Sequence, residues 1–185
     1  MTVGEPFAEV LARAKAGDHA ALEIIYRDVS PLVIGYLRSN KVVDAEDIAS
    51  EVFVTMVRRI DHFEGDERHF RSWLLTICHR RMVDAIRRSQ RRPEELLPSE
   101  DLGLRLDDHP SGEDQAFERL EAMGIVDAMN ELTDLQRQAL TLRVLADLPI
   151  REVARIMDKP EGAIKALLRR AAGSLARVME AQESC

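Results

Sequence analysis

The stretch IREVARIMDKPEGAIKALLRR, residues 150–170, decides the fold. A helix-forming segment from Ile150 to Met157 precedes the turn residues 158–162, and the segment after the turn is again helical in pattern. Its apolar residues recur at i, i+4, i+7 and i+11, which are Ile164, Leu168, Ala171 and Leu175. A short helix, a tight turn and a second helix have the spacing of a helix-turn-helix. From this pattern alone, an αα-hairpin of any helical bundle is the alternative.

The second helix of this unit is predicted to expose small and basic side chains. Its outward positions are Ala166, Arg169, Arg170 and Gly173, with Lys165 at the edge. Small side chains let a helix backbone approach a DNA groove, while the bases neutralise phosphates. Upstream, Thr133 is a predicted N-cap of a helix that ends before Asp147-Leu148-Pro149.

The composition of the whole chain favours helices. Of its 185 residues, 45% are apolar and 32% charged, which is typical of a globular protein. Aromatic residues make up only 4%, so strong helix formers dominate over the residues that fill strands. We therefore predict an all-α protein.

Two helical blocks flank a segment rich in helix breakers. The first block runs from about Pro6 to Arg92, and the second from about Phe117 to Ala181. The intervening residues contain prolines and glycines with little apolar periodicity, which is typical of a flexible linker. We predict two small helical domains, residues 1–92 and 117–185, joined by an acidic linker at residues 93–116.

Charge is distributed very unevenly along the chain. The net charge of −7 argues against a protein that simply coats nucleic acid. Residues 68–92 nevertheless hold eight arginines against one acid, whereas residues 93–118 hold nine acids against one arginine. Surface arginines are often ordinary solubilising charge, but a net +7 in one segment of an acidic protein favours phosphate binding. The two segments indicate two surfaces with different partners.

In the first block, two helices have distinct faces. One carries a predicted core face at Ile48, Val52, Phe53, Met56, Val57 and Ile60. Its opposite face carries Asp47, Glu51, Val54 and Arg58, and the pattern leaves open whether this stripe is merely solvated or meets a partner. The next helix is predicted to start near Phe70, with Leu74, Ile77, Cys78, Met82 and Ala85 inward and Thr76, Arg80, Arg87 and Arg91 outward.

Taken together, these segments resemble the extracytoplasmic-function group of bacterial sigma factors, from about Phe7 to Met179. Three stretches carry the resemblance: residues 44–53, DAEDIASEVF; FRSWLL at 70–75 with VDAIRR at 83–88; and LTDLQRQAL at 132–140 with KPEGAIK at 159–165. They are similar to the family's second conserved region, its helix that melts and reads the minus-ten element, and its fourth region, which reads the minus-thirty-five element. The resemblance implies a non-catalytic subunit that binds core RNA polymerase, directs it to promoters and promotes DNA melting.

The resemblance also implies roles for particular residues. Asp44, Asp47 and Glu51 would face basic helices of the polymerase's largest subunit. The loop from Asp61 to His69 matches the family's site for a base flipped from the single-stranded non-template strand, with Phe63 as a candidate stacking partner. The residues expected at the minus-ten DNA are His62, Phe63, Arg71, Arg80, Arg87, Arg88 and Arg91. Those expected at the duplex minus-thirty-five DNA are Glu161, Ala163, Lys165, Ala166, Arg169 and Arg170.

Several positions depart from the family pattern. Arg80 stands where many relatives have Asn, and Thr76 where many have a base, so we expect strand contacts to differ in detail. Ala163 replaces a frequent Thr, while Ala166 and Leu167 occupy positions where relatives often place Ser and Arg. Contacts to duplex DNA should therefore depend more on the remaining bases, Lys165, Arg169 and Arg170. Pro149 replaces the usual Ser before the short helix, which we expect to be a structural change only.

The resemblance implies that the acidic linker passes through the polymerase's active-site cleft, with a solvated tether as the alternative. It also implies an anti-sigma factor as a further partner. We expect the protein to lie in a reducing cytoplasm, because Cys78 and Cys185 form no disulfide framework. Neither a signal peptide nor an apolar run long enough for membrane insertion is visible.

Other classes of function fit the sequence less well. Asp61, His62, Asp66, His69, Cys78 and His79 lack a standard zinc spacing, and no phosphate loop or nucleophile motif appears, so we predict no enzyme, cofactor or metal. A stand-alone helix-turn-helix regulator should bind duplex DNA tightly by itself, which the acidic charge disfavours. A sigma-like decoy that only binds an anti-sigma factor would have no need of the arginines between residues 68 and 92.

Overall fold

The computed structural model describes residues 6–91 and 129–183, with side chains described up to residues 88 and 178. These residues form α1 (Phe7–Lys15), α2 (His19–Ser39), α3 (Ala45–Arg59), a 3-10 turn (Ile60–His62), α4 (Glu67–Arg91), α5 (Asp134–Val144), α6 (Ile150–Ile156) and α7 (Glu161–Glu183). Within the described ranges there is no strand, and the all-α prediction is confirmed. The predicted linker, residues 93–116, lies outside the described residues.

Helix boundaries in the first half follow from local chemistry. Gly17, at φ +85°, supplies the left-handed residue that ends α1. Asp18 then accepts hydrogen bonds from the backbone N–H of Ala20 and Ala21, at 2.9 and 3.4 Å, and so caps α2. These two residues turn the chain sharply, so that α1 packs back along α2.

The core of the first half is built around α4. Phe70, Leu74, Leu75, Cys78 and Met82 are fully buried along one side of this helix. α2 and α3 cover them with apolar residues at helical spacing. The helix begins at Glu67, three residues before the predicted start, because Asp66 accepts a hydrogen bond from the backbone N–H of His69. With its inner side held in the core, α4 projects its outer side into solvent.

One predicted core position was wrong. Val57 is 48% exposed, although the other five members of the predicted apolar face of α3 are buried. Those five residues already span the width that α2 and α4 cover, and Val57 lies at the margin of that face.

The second half forms the predicted helix-turn-helix. Thr133 and Gln136 form a reciprocal capping box at the start of α5. Asp147 and Asp158, both with positive φ, mark the turns before α6 and before α7. Four residues separate the end of α6 from the start of α7, and Val153, Ile156 and Ile164 join these two helices to α5 in one apolar cluster.

The two halves pack against each other. The Asn40 side-chain amide, at the end of α2, donates to Thr141 Oγ1 on α5 at 3.3 Å. Between α4 and α6, Ser72 Oγ donates to Glu152 Oε2 at 2.8 Å and accepts from Arg155 Nη2 at 3.0 Å. Buried residues of both halves belong to one continuous cluster. The described structure is therefore a closed arrangement of the two halves.

Candidate nucleic-acid interface

An acidic stripe lies on the outer side of α3. Asp44, Asp47 and Glu51 are all exposed. Asp44 occupies the N-cap position but makes no side-chain capping bond, so its carboxylate is not used to hold the helix. Val54, which is 50% exposed, adds an apolar side chain to the stripe. The geometry suits docking of a basic protein surface against an acidic edge.

The sequence did not reveal a link between this stripe and α4. Arg81 Nη1 lies 3.1 Å from Glu51 Oε2, and both side chains are about half exposed. Such a pair contributes little stability on its own. It does fix the lateral position of Glu51, and it places one arginine of α4 toward α3 rather than on the outer side of α4.

Three exposed arginines of α4 share one side of the helix. Arg80, Arg87 and Arg88 stand at i, i+7 and i+8, a spacing of two helical turns. Asp84 is the acidic residue of this segment, and Arg88 Nε bonds the Asp84 backbone carbonyl rather than its carboxylate. These three guanidinium groups can therefore approach phosphates. The side chain of Arg91, predicted for the same role, lies outside the described residues.

Arg71 differs from these three. Its guanidinium contacts Asp28 Oδ2 at 3.1 Å and Glu67 Oε1 at 2.9 Å, and its side chain is 27% exposed. Two carboxylates neutralise it and tie the start of α4 to α2. In this conformation Arg71 acts as a structural residue, and a DNA contact would require it to leave both partners.

The loop between α3 and α4 presents polar residues and hides its aromatic one. Asp61, His62 and Glu64 are exposed. Phe63 is only 7% exposed, and its ring centroid lies 5.1 Å from that of Phe70 and 5.3 Å from that of Trp73. The interpretation of Phe63 as an open stacking platform is therefore not met in this conformation, because the ring already packs against core aromatics. His62 has the exposure that a contact to an extruded base would need.

Gly65 gives this loop its shape. At φ +142° it adopts a conformation that other residues rarely reach, and an added Cβ would lie 2.8 Å from His69 Cβ. The next residue, Asp66, accepts bonds from the backbone N–H and from Nδ1 of His69. These bonds lower the pKa of the Asp66 carboxyl, the backbone bond having the larger effect.

On α7, the exposed bases follow the predicted pattern. Lys165, Arg169 and Arg170 are exposed, as is Glu161 in the first turn, while Ala163 and Ala166 are partly exposed between them. Leu167 packs against the core. The departure from the family's Arg at this position therefore adds packing to the second half as it removes a charge.

A cleft of mixed charge beside α7 was missed by the sequence interpretation. An open cavity of about 470 Å³ is lined by three bases, Arg151, Arg155 and Lys159, and by two acids, Asp158 and Glu161. Arg155 Nη2 lies 2.6 Å from Glu152 Oε2, so Arg151 and Lys159 are the bases that bring positive charge next to the start of α7.

Within the described residues, no group of three or more His, Cys, Asp or Glu side chains is placed to hold a metal ion. Cys78 is buried, and burial raises the pKa of its thiol far above the ordinary range. The side chains that converge on the two exposed surfaces are instead arginine, lysine and carboxylate groups, which recognise charged macromolecules.

Two models of known families match the chain. The family model Sigma-70 region 2 matches residues 25–92, and the model Sigma-70, region 4 matches residues 122–175. The chain belongs to the sigma-70 family. Within this family it is of the extracytoplasmic-function (ECF) group, because its curated relatives carry that description. α1 lies before the residues that the sigma-70 region 2 model matches.

Two of these relatives cover most of the chain. It is 36% identical over 177 residues to ECF RNA polymerase sigma factor BldN of Streptomyces coelicolor, which covers 92% of this chain and 65% of that protein. It is 29% identical to ECF RNA polymerase sigma factor SigD of Mycobacterium tuberculosis, over 91% of this chain and 81% of that one. The chain thus spans just under two thirds of the length of BldN and about four fifths of that of SigD.

A solved structure shares the fold of this sigma-70 family member. CnrH, determined in complex with the cytosolic domain of CnrY, superposes with a TM-score of 0.62 at 20% identity, over 93% of this chain and 96% of that one. None of the helices in the described parts of this chain is long and apolar enough to cross a membrane.

Proposed function

We propose that the protein is an ECF sigma factor that binds core RNA polymerase, directs it to specific promoters and promotes DNA melting. The observation that carries the proposal is the placement of oppositely charged surfaces on adjacent helices. α3 exposes the acids Asp44, Asp47 and Glu51, and α4 exposes three arginines whose charge is not neutralised by the described carboxylates. One surface suits a basic protein partner and the other suits a phosphate backbone.

The first half is proposed to handle the opened minus-ten DNA. Extruding a base from the duplex costs a few kcal/mol, which the protein must repay with a pocket and with phosphate contacts. His62 would contact the base, and Arg80, Arg87 and Arg88 would hold the single strand along α4. Arg71 and Phe63 contribute indirectly in this proposal, because they fix α4 and the loop. Arg91 stays a predicted contact.

The second half is proposed to read the minus-thirty-five duplex with α7. Small residues at Ala163 and Ala166 allow close approach to the groove, and Lys165, Arg169 and Arg170 neutralise phosphates. Arg151, in the cleft beside α7, would extend the phosphate contacts to α6. Glu161, in the first turn of α7, would meet a base edge in this proposal, because the N-terminal residues of recognition helices contact bases.

The closed arrangement must open for this function. The minus-ten and minus-thirty-five elements are centred about 25 base pairs apart, which corresponds to roughly 85 Å along B-form DNA. The halves touch through Ser72 and Glu152, so they cannot reach both elements at once in this state. We assign residues 1–92 and 117–185 to the two domains, and residues 93–116 to the acidic linker that lets them separate.

Further partners and the site of action are part of the proposal. We expect promoter DNA in duplex and single-stranded form, core polymerase and an anti-sigma factor as partners, and the cytoplasm as the compartment. CnrH, which shares this fold, was determined in complex with the cytosolic domain of CnrY, and this supports the expectation of a further protein partner. A stand-alone helix-turn-helix regulator or a decoy is not favoured by the relatives named above.

Transcription in vitro with core polymerase and genomic templates tests the proposal. We expect defined start sites that core enzyme alone does not use, and poor promoter binding by the chain alone. The double variant Asp44→Lys with Asp47→Lys should abolish these start sites, because it reverses the charge of the acidic stripe. Glu9→Lys with Glu23→Lys, which changes the charge equally on α1 and α2, should not. An absence of new start sites with the unaltered chain would refute the proposal.

A further inference from the structure

α1 contacts the loop that the proposed function assigns to base capture. Val10, Leu11 and Ala14 bury one side of this helix, and the Phe7 ring lies 5.5 Å from that of Phe70. At its last residue, the Lys15 ammonium donates a hydrogen bond to the backbone carbonyl of Phe63. Lys15 and Phe63 are 48 residues apart in sequence, so this is a tertiary contact. The helix also lies outside the residues that the sigma-70 region 2 model matches, 25–92.

The carbonyl that Lys15 binds is at the point where the loop changes direction. The Phe63 N–H bonds back to the Ile60 carbonyl and closes the 3-10 turn. Beyond Phe63 the chain runs through the exposed Glu64 and the left-handed Gly65 to Asp66, where the cap of α4 begins. The Phe63–Ile60 bond thus fixes the first end of the loop, the bond from His69 of α4 to Asp66 fixes the second end, and Lys15 fixes the middle from a separate helix.

We propose that Lys15 is a positioning residue for base capture, acting through the backbone of the loop at residues 60–66. The inference rests on the proposed function of that loop. A site for an extruded base must be ordered before the base arrives, since a disordered loop would add its own ordering cost to that of unstacking. The Lys15 bond supplies this order at Phe63, one residue from the exposed His62.

The contacts of Lys15 allow this role to be separated from folding. The packing of α1 depends on Val10, Leu11 and Ala14, and its turn into α2 depends on the Arg13–Asp18 ion pair at 2.8 Å. Neither involves the Lys15 ammonium. Lys15→Met keeps an unbranched chain of similar length and removes only the donor, while Lys15→Arg restores a donor.

The test uses holoenzyme assembled with each variant and a single-stranded non-template oligonucleotide of a promoter identified by transcription. We expect Lys15→Met to weaken oligonucleotide binding about five- to ten-fold, the loss of one charge-assisted hydrogen bond in a partly exposed site. Lys15→Arg should recover at least half of that loss. Arg177→Met, which removes an exposed cation from the end of α7, is the charge control and should bind like the unaltered chain.

Affinity for core polymerase and the melting temperature separate positioning from a general fault in the fold. Lys15→Met should leave core affinity unchanged and shift the melting temperature by no more than about 2 °C. Oligonucleotide affinity within two-fold of the unaltered chain would overturn the inference, and so would an equal loss of core affinity. If the unaltered holoenzyme starts no transcription, it is the proposed function that fails.

Discussion

The two helices proposed to face DNA, α4 and α7, are nearly equal in length but are supported very differently. α4, 25 residues long, is buried along its inner side by fully covered residues from Phe70 to Met82. α7 has 23 residues, and among its described side chains only Ile164 and Ala171 are fully buried. A helix that must hold a distorted single strand needs a rigid support, whereas one that enters an intact groove needs mainly a correct outer surface.

Each half also buries a different polar anchor. In the first half, the Tyr36 hydroxyl hydrogen-bonds His79 Nδ1 at 2.8 Å between α2 and α4. In the second half, the buried guanidinium of Arg137 donates to the carbonyls of Met129 and Leu132 at 3.2 and 2.7 Å. The first anchor contains a buried histidine, whose burial disfavours the protonated form. The second is a permanent cation that holds the chain entering α5.

The largest effect is expected from acid acting on the first anchor. Burial, together with the nearby Lys159 charge, lowers the pKa of His79 to about 4. The unfolded chain, with a pKa near 6.5, therefore binds the proton more readily than the folded one. The free energy of unfolding should fall by up to roughly 3 kcal/mol as the pH drops from about 6.5 to about 4.

Urea unfolding at several pH values, compared between two variants, isolates this group. His79→Gln keeps a partner for Tyr36 and should remove most of the dependence between pH 6.5 and 4. His69→Gln, at an exposed histidine of the same helix, should retain it. Equal pH dependence in both variants would show that His79 is not the titrating anchor.

A smaller effect is expected at the second anchor. Arg137→Met removes the donor to the buried Leu132 carbonyl, while the Met129 carbonyl keeps the backbone N–H of Leu132, and should lower the stability of the second half by about 2 to 3 kcal/mol. Arg143→Met is the matched control, because Arg143 is an exposed arginine of the same helix, paired with Asp147. It should cost less than about 1 kcal/mol. Hydrogen exchange of the backbone amides of α5 and α7 measures the loss of stability in each variant. An equal loss in Arg137→Met and Arg143→Met would refute the anchor role.

The smallest effect concerns single phosphate contacts. Arg87→Ala should reduce the slope of log affinity against log salt by about 0.7 if it neutralises a phosphate of a single strand, and by about 0.9 if the contact is to duplex. Arg169→Ala should give the duplex value. Arg71→Ala should leave the slope unchanged, because its charge is already used by Asp28 and Glu67. An unchanged slope for Arg87→Ala would make it ordinary surface charge.

Local sequence signals predicted much of this fold. The cap at Thr133, the helix-turn-helix and most of the buried side of α3 follow from patterns within a few residues. The outward arginines of α4 and bases of α7 were found in the same way, since exposure follows from helical period once the core side is known.

Contacts between distant residues could not be predicted from such patterns. The pairing of Arg71 with Asp28 spans 43 residues, and the contact of Ser72 with Glu152 spans 80. Phe63 lies in a loop, where no period indicates which side chain turns inward. Its burial depends on Phe70 and Trp73 arriving from the next helix. The domain boundaries and the roles of individual residues in binding remain predictions.

The ratio of transcription from a premelted promoter to that from the same promoter as full duplex tests the division of tasks most directly. Two triple variants are compared with the unaltered chain in core polymerase: R80Q with R87Q and R88Q on α4, and K165Q with R169Q and R170Q on α7. We expect the ratio to rise about ten-fold or more for the α4 variant, because premelting removes the step that its arginines assist. For the α7 variant it should stay within about two-fold of the unaltered chain. Equal ratios for the two variants would contradict the assignment of melting to the first half and duplex reading to the second.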